Sequence, residues 1–204
     1  MTKYVRILLL VLVLAAIAGA ISYLESKRAA RSPAQGSVPL TFRLESGGTG
    51  PGRPAKEIAS PAGFINSSSI TVGELIGKKI ILVDFWTYSC INCQRTTPYL
   101  NVWYEKYHDQ GLEIIGVHTP EFEFEKNYDN VTAAVKKFGI KYPVVLDNDY
   151  ATWNAYSNRY WPRKYLIDIH GRIIYDHIGE GAYAETDARI HEALQERMRI
   201  LGMT

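Results

Sequence analysis

Apolar residues along this chain fall into two kinds of run, one long stretch near the N-terminus and a series of short ones from Phe64 onward. The long run, Ile7 to Ile21, extends through Ser22 and Tyr23 to Leu24 and follows Lys3 and Arg6. Counted from Tyr4 to Leu24, it approaches the roughly 20 residues that cross a bilayer core as a helix. Residues 1–28 therefore read as a membrane anchor, with a cleaved signal peptide as the competing reading. Ala16-Ile17-Ala18 and Ala18-Gly19-Ala20 both offer the small-residue pattern of a cleavage site. The length of the run favours the anchor. A helix packed into a soluble core is disfavoured, because no face of the segment is polar. Lys27, Arg28 and Arg31 balance Lys3 and Arg6 on the other side, so charge alone does not orient it. Either reading carries the rest of the chain across a membrane.

Residues 29–61 are rich in Gly, Pro, Ser and Arg, including Ser46-Gly47-Gly48-Thr49-Gly50-Pro51-Gly52, and read as a flexible linker, with an irregular but packed N-terminal extension as the alternative. Phe42 and Leu44 offer at most a short strand. From there the pattern alternates, which assigns residues 62–204 to one domain. Ile80–Trp86 is a continuous apolar run of the kind buried on both faces of a sheet. Ile91 to His108 reads as a helix carrying Leu100, Trp103, Tyr104 and Tyr107 at mixed three- and four-residue spacing, kinked at Pro98. Leu112–Val117 is a second buried strand. Asn127–Phe138 is a helix closed by Gly139. Tyr142–Leu146 is a third strand, followed by a short helix around Tyr150–Tyr156. Lys164–Ile169 and Arg172–Ile178 form a hairpin turning at His170-Gly171. A last helix runs from Thr186, its expected cap, to about Leu201. This order predicts an α/β sandwich with a mixed central sheet.

The composition supports one folded domain with appendages. The chain has 204 residues, 47% of them hydrophobic and 12% aromatic, which excludes global disorder. A net charge of +2 names no acidic partner, and the Lys and Arg residues form no long stripe of the kind that binds nucleic acid.

The chemistry sits in Cys90-Ile91-Asn92-Cys93, because these are the only two cysteines. The pair lies between the Ile80–Trp86 strand and the helix after it. A compartment beyond the membrane permits disulfides, and any bridge within this chain joins these two. If Cys90 precedes the first turn of the helix, free backbone N–H groups and the helix dipole stabilise its thiolate and make it the nucleophile. Cys93, one turn on, is placed to resolve a mixed disulfide. That step needs a proton acceptor. Asp84, near the strand end, is the candidate, with its pKa expected to rise through desolvation. Its alternative is a strand-end residue reaching solvent.

Asp84-Phe85-Trp86, then Cys90-x-x-Cys93, then Pro98 is a pattern that resembles the thioredoxin active site. The resemblance covers about Phe64 to the C-terminus. Within that superfamily, the N-terminal anchor and Thr71-Val72-Gly73-Glu74-Leu75-Ile76-Gly77-Lys78-Lys79 look like the TlpA/ResA-type membrane-anchored thioredoxins. The runs Trp86–Arg95 and Gly116-Val117-His118-Thr119-Pro120-Glu121-Phe122, with Tyr160-Trp161-Pro162-x-x-Tyr165-Leu166-Ile167-Asp168 and Gly179-Glu180-Gly181, are closer still to the redoxin domain of DipZ-type proteins. The resemblance implies a thioredoxin-like three-layer sandwich with a TlpA-type insertion over Thr119–Lys126 and the helix after it. It implies that Pro162 is a cis-proline facing the disulfide and pairing with substrate backbone. It places Glu121 where the subgroup has an acidic residue near the site, a tuning role that Trp86 is also a candidate for. Trp86, Tyr88, Tyr160 and Trp161 are read as an aromatic rim, with Tyr88 and Trp161 as substrate contacts and Trp86 also suited to packing.

The implied activity is thiol–disulfide exchange with protein substrates outside the cytoplasm, in the reducing direction. The implied partners are a client protein and a membrane electron carrier of the CcdA/DsbD type, with cytochrome c maturation among the processes such proteins serve. No cofactor is expected, because the disulfide carries the two electrons. Three departures leave the direction open: Ile91-Asn92 between the cysteines, Ser89 where tryptophan is usual, and Trp161 before the proline. Four alternatives are weaker. A zinc site needs about four ligands, and His108, His118, His170, His177 and His191 show no paired metal spacing. Haem attachment fails because Gln94 follows Cys93. A peroxiredoxin-like thiol peroxidase has Thr87-x-x-Cys90 in its favour and Val83, in place of a proline, against it. A non-catalytic adaptor leaves the cysteine spacing unexplained.

Overall fold

The computed structural model describes residues 52–203, with Gly19 the one described position ahead of them. The apolar N-terminal run, Phe42, Leu44 and most of the predicted linker lie outside the described residues. By contact the chain divides into Met1–Glu45 and Ser46–Thr204, and the elements below all belong to the second unit. Among the described residues no helix is long and apolar enough to cross a membrane.

Among the described residues 52–203, seven strands and five helices follow in order: β1 Arg53–Pro54, β2 Gly63–Ile65, α1 Val72–Leu75, β3 Ile80–Trp86, α2 Ile91–Tyr107, β4 Leu112–His118, α3 Tyr128–Lys137, β5 Val144–Leu146, α4 Ala151–Ala155, β6 Arg163–Ile167, β7 Arg172–Ile178 and α5 Tyr183–Leu201. A single 3-10 turn, Glu123–Lys126, leads into α3. The strands form one mixed sheet in the order β1-β7-β6-β3-β4-β5-β2. β3 pairs parallel with β4 and antiparallel with β6, and β4 pairs parallel with β5. Every residue of β3 and β4 is buried, including Asp84 and Glu113 within their otherwise apolar runs.

The side chains of β3 alternate between two cores. Ile80, Leu82 and Trp86 face a layer built from Leu100, Trp103 and Tyr107 of α2, Val131 and Val135 of α3, and Ile190 and Leu194 of α5. Ile81, Val83 and Phe85 face the other, with Val72 of α1, Trp153 of α4 and Tyr156. Phe85 meets Trp153, Tyr156 and Tyr165 edge-on at centroid distances of 5.8, 5.4 and 5.8 Å. Each large side chain buried this way stabilises the fold by about 1.5–3 kcal/mol. Position 84 belongs to the same parity as Leu82 and Trp86, so Asp84 is carried into the α2 side of the sheet.

Two sequence expectations are corrected. The last ten residues assigned to the flexible linker, 52–61, pack onto the domain. Arg53 and Pro54 pair with Ile173 and Arg172, and the Ala55 N–H donates to the Gly171 carbonyl at 2.9 Å. The Glu57 carboxylate accepts from the backbone N–H of Val72 at 2.7 Å and of Gly73 at 2.8 Å, closing the start of α1. Ile58 is buried. Gly and Pro content signals irregular backbone, which packs as readily as regular backbone once its polar groups find partners. The final helix begins at Tyr183, three residues before the expected cap. Ala182 takes the cap with φ 49°, and Thr186 donates from inside the helix to the Ala182 carbonyl at 2.9 Å. Pro98 lies within α2, as the sequence placed it.

Candidate functional site

β3, the central strand, delivers the chain to one end of the sheet, and α2 begins there after a short loop. Cys90 is the N-cap of α2, with φ −67° and ψ 117°, and no side-chain capping bond. The first-turn N–H groups of the helix are therefore free to serve its sulfur. Cys93, one turn into α2, is 2% exposed and packs with Trp86 and Leu100 in the core. Both thiols are free. The Cys93 S–H donates to the Cys90 sulfur, the main cause that lowers the Cys90 pKa from 9.0 to about 6. Partial burial opposes this. The N–H groups of Cys93 and Asn92 add to the lowering, and the Glu121 charge resists it. The Cys93 thiol is pushed far up, first by burial and then by its bond to Cys90. One sulfur is accessible and ionised at neutral pH; the other is buried and keeps its proton.

Beneath Cys93 lies Asp84, 2% exposed. Burial raises its pKa from 3.8 to about 7; Lys164 lowers it and a charged Cys90 raises it. Its Oδ1 is buried without a hydrogen-bond partner. The alternative reading of Asp84 as a solvent-reaching strand end is excluded by this burial. Sheet register sets its neighbours: Lys164 lies opposite on β6 and Gly116 opposite on β4. Lys164 is fully buried, and its ammonium donates to the Gly179 carbonyl at 3.3 Å. Burial lowers the Lys164 pKa, with Asp84 pulling it back up. Gly116 is required by close approach. A Cβ there would stand 3.0 Å from Trp86 Nε1 and 3.1 Å from Tyr142 Cε2. Sequence reading passed over Lys164, although a lysine inside an otherwise apolar strand was a usable signal.

The loop between β3 and Cys90 is held from two sides. His118, at the end of β4, is fully buried. Its Nε2 accepts from the Tyr88 N–H at 3.4 Å and lies 3.4 Å from Thr87 Oγ1. The Tyr88 ring stacks on the imidazole at 5.7 Å. Burial lowers the His118 pKa to about 4, so this histidine is neutral. On the other side Glu125, also fully buried, accepts from Ser89 Oγ at 2.5 Å. Both residues were missed in the sequence, His118 because histidine spacing was weighed only for metal.

The remaining predicted residues fall in different places. The Trp161–Pro162 peptide is cis, and Pro162 is buried at the start of β6. Trp161 is half-buried, its indole N–H donating to the Thr119 carbonyl at 3.0 Å and its ring 4.2 Å from that of Trp153. Tyr88 is half-buried and reaches the Phe124 carbonyl at 3.3 Å. Tyr160 is exposed, but Trp86 is 2% exposed and belongs to the core. The expected aromatic rim therefore loses Trp86. Glu121 is exposed and acts on Cys90 through its charge. The buried carboxyl of that segment is Glu125, four residues on.

A mixed sheet with Cys-x-x-Cys opening the helix after its central strand, and a cis-proline heading the antiparallel neighbour, is the thioredoxin-like fold. Residues 51–194 match the Redoxin family, and the chain belongs to it. It is 45% identical over 157 residues to protein DipZ of Mycobacterium tuberculosis, which covers 76% of this chain and 22% of DipZ. The chain thus spans less than a quarter of that relative. It is 28% identical over 144 residues to the thiol-disulfide oxidoreductase YkuV of Bacillus subtilis, covering 71% of this chain and 96% of YkuV. The thiol-disulfide oxidoreductase ResA of Halalkalibacterium halodurans is 35% identical over 115 residues, 56% of this chain and 62% of ResA. A thioredoxin-like protein solved in solution in its oxidised form superposes with TM-score 0.65 at 28% identity, covering 71% of this chain and 97% of that one.

Proposed function

We propose that this protein is an extracytoplasmic thiol–disulfide oxidoreductase that reduces disulfides in client proteins. The observation that carries the reading is the split between the two thiols, Cys90 lowered to about 6 and Cys93 pushed up behind it, above a carboxyl that titrates at about 7. The Cys90 thiolate attacks one sulfur of a client disulfide; that S–S bond breaks and the other client sulfur leaves as a thiolate. Asp84, directly or through a water, takes the Cys93 proton. The Cys93 thiolate attacks the Cys90 sulfur, the mixed disulfide breaks, and the client leaves as a dithiol. Two electrons have passed to the client and the protein holds a Cys90–Cys93 disulfide. A second dithiol must reset it, and a membrane carrier of the CcdA/DsbD type suits a domain tethered by residues 1–28. Pro162, cis and ahead of β6, presents backbone to the client, with Tyr88 and Trp161 beside it.

The reducing direction draws support from the size of the Cys90 shift. A strongly oxidising pair stabilises its thiolate to a pKa near 3.5, whereas thioredoxin sits near 7. At about 6, Cys90 lies nearer the reducing end. Location outside the cytoplasm is supported by the apolar run behind Lys3 and Arg6.

Trapping in cells tests the reading. Cys93→Ser is expected to strand Cys90 in a mixed disulfide with its client, while Cys90→Ser captures nothing. The reverse pattern would overturn the assigned roles. A measured reduction potential near −120 mV, as for a strong oxidant, would sink the reducing direction; a value toward −270 mV supports it.

A further inference from the structure

The inserted 3-10 turn and the loop that presents Cys90 meet at one carboxylate. Glu125 is fully buried yet outside the Cys93–Asp84 relay. Its Oε1 accepts from Ser89 Oγ at 2.5 Å and from the Ser89 N–H at 3.3 Å. Its Oε2 accepts from the N–H of Glu121 at 2.6 Å and of Phe122 at 2.9 Å. Tyr88 adds a second tie, its hydroxyl donating to the Phe124 carbonyl. A buried carboxylate is costly to desolvate unless such donors surround it, and these donors come from two separate segments of chain. Breaking the contact therefore releases both.

We propose that Glu125 is a positioning residue for Cys90, holding Ser89 so that the nucleophilic sulfur stays over the first-turn N–H groups of α2. The inference rests on the oxidoreductase reading only for its biological meaning; its geometry stands apart from it. Cys90 is joined directly to Ser89, so a loop free at Ser89 carries Cys90 away from the Asn92 and Cys93 N–H groups. His118 holds the same loop at Thr87 and Tyr88. Gln94 Nε2 donates to the Tyr88 carbonyl at 2.9 Å, and the Cys90 N–H donates to the Thr87 carbonyl at 3.3 Å. Ser89, next to the sulfur, is the link in the loop that Glu125 supplies. The role is mechanical and not a through-space effect of charge. The carboxylate whose charge acts on Cys90 is Glu121, and the groups that feel Glu125 are His118, Tyr88 and Tyr150. The Ser89 that departs from the family's usual tryptophan is thus the donor that this arrangement needs.

The two mechanisms predict opposite signs, which makes the test decisive. Removing a nearby negative charge would lower the Cys90 pKa. Removing a mechanical hold raises it. The rate of alkylation by iodoacetamide is measured from pH 4.5 to 9.5 on the reduced full chain. Ser89→Ala, which leaves every charge in place at an exposed position, is expected to slow alkylation at pH 6 by about fivefold and to leave the rate at pH 9.5 unchanged, as a one-unit rise in thiol pKa dictates. Glu125→Gln is expected to shift the profile the same way, and Ser89→Thr, which keeps the hydroxyl, to restore it. An unchanged profile in Ser89→Ala, or a profile moved to lower pH in Glu125→Gln, overturns the proposal, whatever happens to melting temperature. Reduction of insulin disulfides is followed on the same samples. Failure of the unsubstituted chain in that assay overturns the oxidoreductase reading and leaves the alkylation profile to decide on Glu125.

Discussion

Replacing Asp84 with asparagine is expected to stabilise the folded domain at neutral and alkaline pH while slowing its chemistry. Asp84 is fully buried and its pKa rises from 3.8 to about 7, a difference of about 3 units. A carboxyl whose folded pKa is raised binds its proton more tightly in the native state than in the unfolded chain. Its contribution to stability is therefore full below about pH 4 and is lost as the pH climbs through 7. At about 1.4 kcal/mol per unit, the ionised form costs the fold about 4 kcal/mol by pH 8. The neutral amide of the Asp84→Asn variant carries no such penalty. Urea unfolding of the reduced protein and of Asp84→Asn at pH 4, 6 and 8 should show a stability difference that grows with pH, by about 4 kcal/mol between pH 4 and 8. The pH-dependent part is the diagnostic, because the fixed cost of burying an amide cancels between the two conditions. A difference that stays flat with pH would refute the assignment of Asp84 as a carboxyl desolvated by burial. Release of a client from the Cys90 mixed disulfide should slow in the same variant. Unchanged release would remove Asp84 from the proton path.

Three further outcomes follow from the same geometry. Lys164→Met removes the cation that lowers the Asp84 pKa, so a titration of the Asp84 carboxyl by NMR should move upward in that variant; a downward move would show that the two groups do not interact. Gly116→Ala forces a Cβ to 3.0 Å from Trp86 Nε1 and 3.1 Å from Tyr142 Cε2, and both rings are held in the core, so a loss of about 1–3 kcal/mol is expected in denaturant unfolding. Glu57→Ala strips a shared acceptor from the N–H groups of Ile58, Val72 and Gly73 and should cost about 1 kcal/mol, whereas no change would return residues 52–61 to the linker.

The parts of this molecule that were legible in the sequence are those fixed by local pattern. β3, β4, α2 and the β6–β7 hairpin announce themselves by the length and period of their apolar positions. The cysteine pair announces itself by spacing, and Pro162 by its family motif. Contacts that depend on which strand lies beside which were not legible. Lys164 meets Asp84 only because β6 pairs antiparallel with β3 in one register, and nothing within ten residues of either position states that. The alternation Glu121-Phe122-Glu123-Phe124-Glu125 offers three equivalent carboxyls. Only the fold of the insertion against Ser89 turns the third one inward and leaves the first in solvent. Glu57 was hidden for a related reason, since a Gly- and Pro-rich neighbourhood describes the backbone and says nothing of what the side chains reach.

The two ends of the sheet bear on how a client is handled. β1 has two residues, one of them Pro54, and β2 has three. An extended polypeptide adds to a sheet by lending hydrogen bonds to an open edge. β1 covers only Arg172 and Ile173 of the seven-residue β7, so among the described residues 174–178 carry no strand on their outer side. Charge blunts that stretch: Arg53 reaches from β1 to Asp176 at 3.4 Å, and Arg163 holds the same carboxylate at 2.6 Å. An extended chain meeting this flank encounters side-chain charge ahead of open backbone.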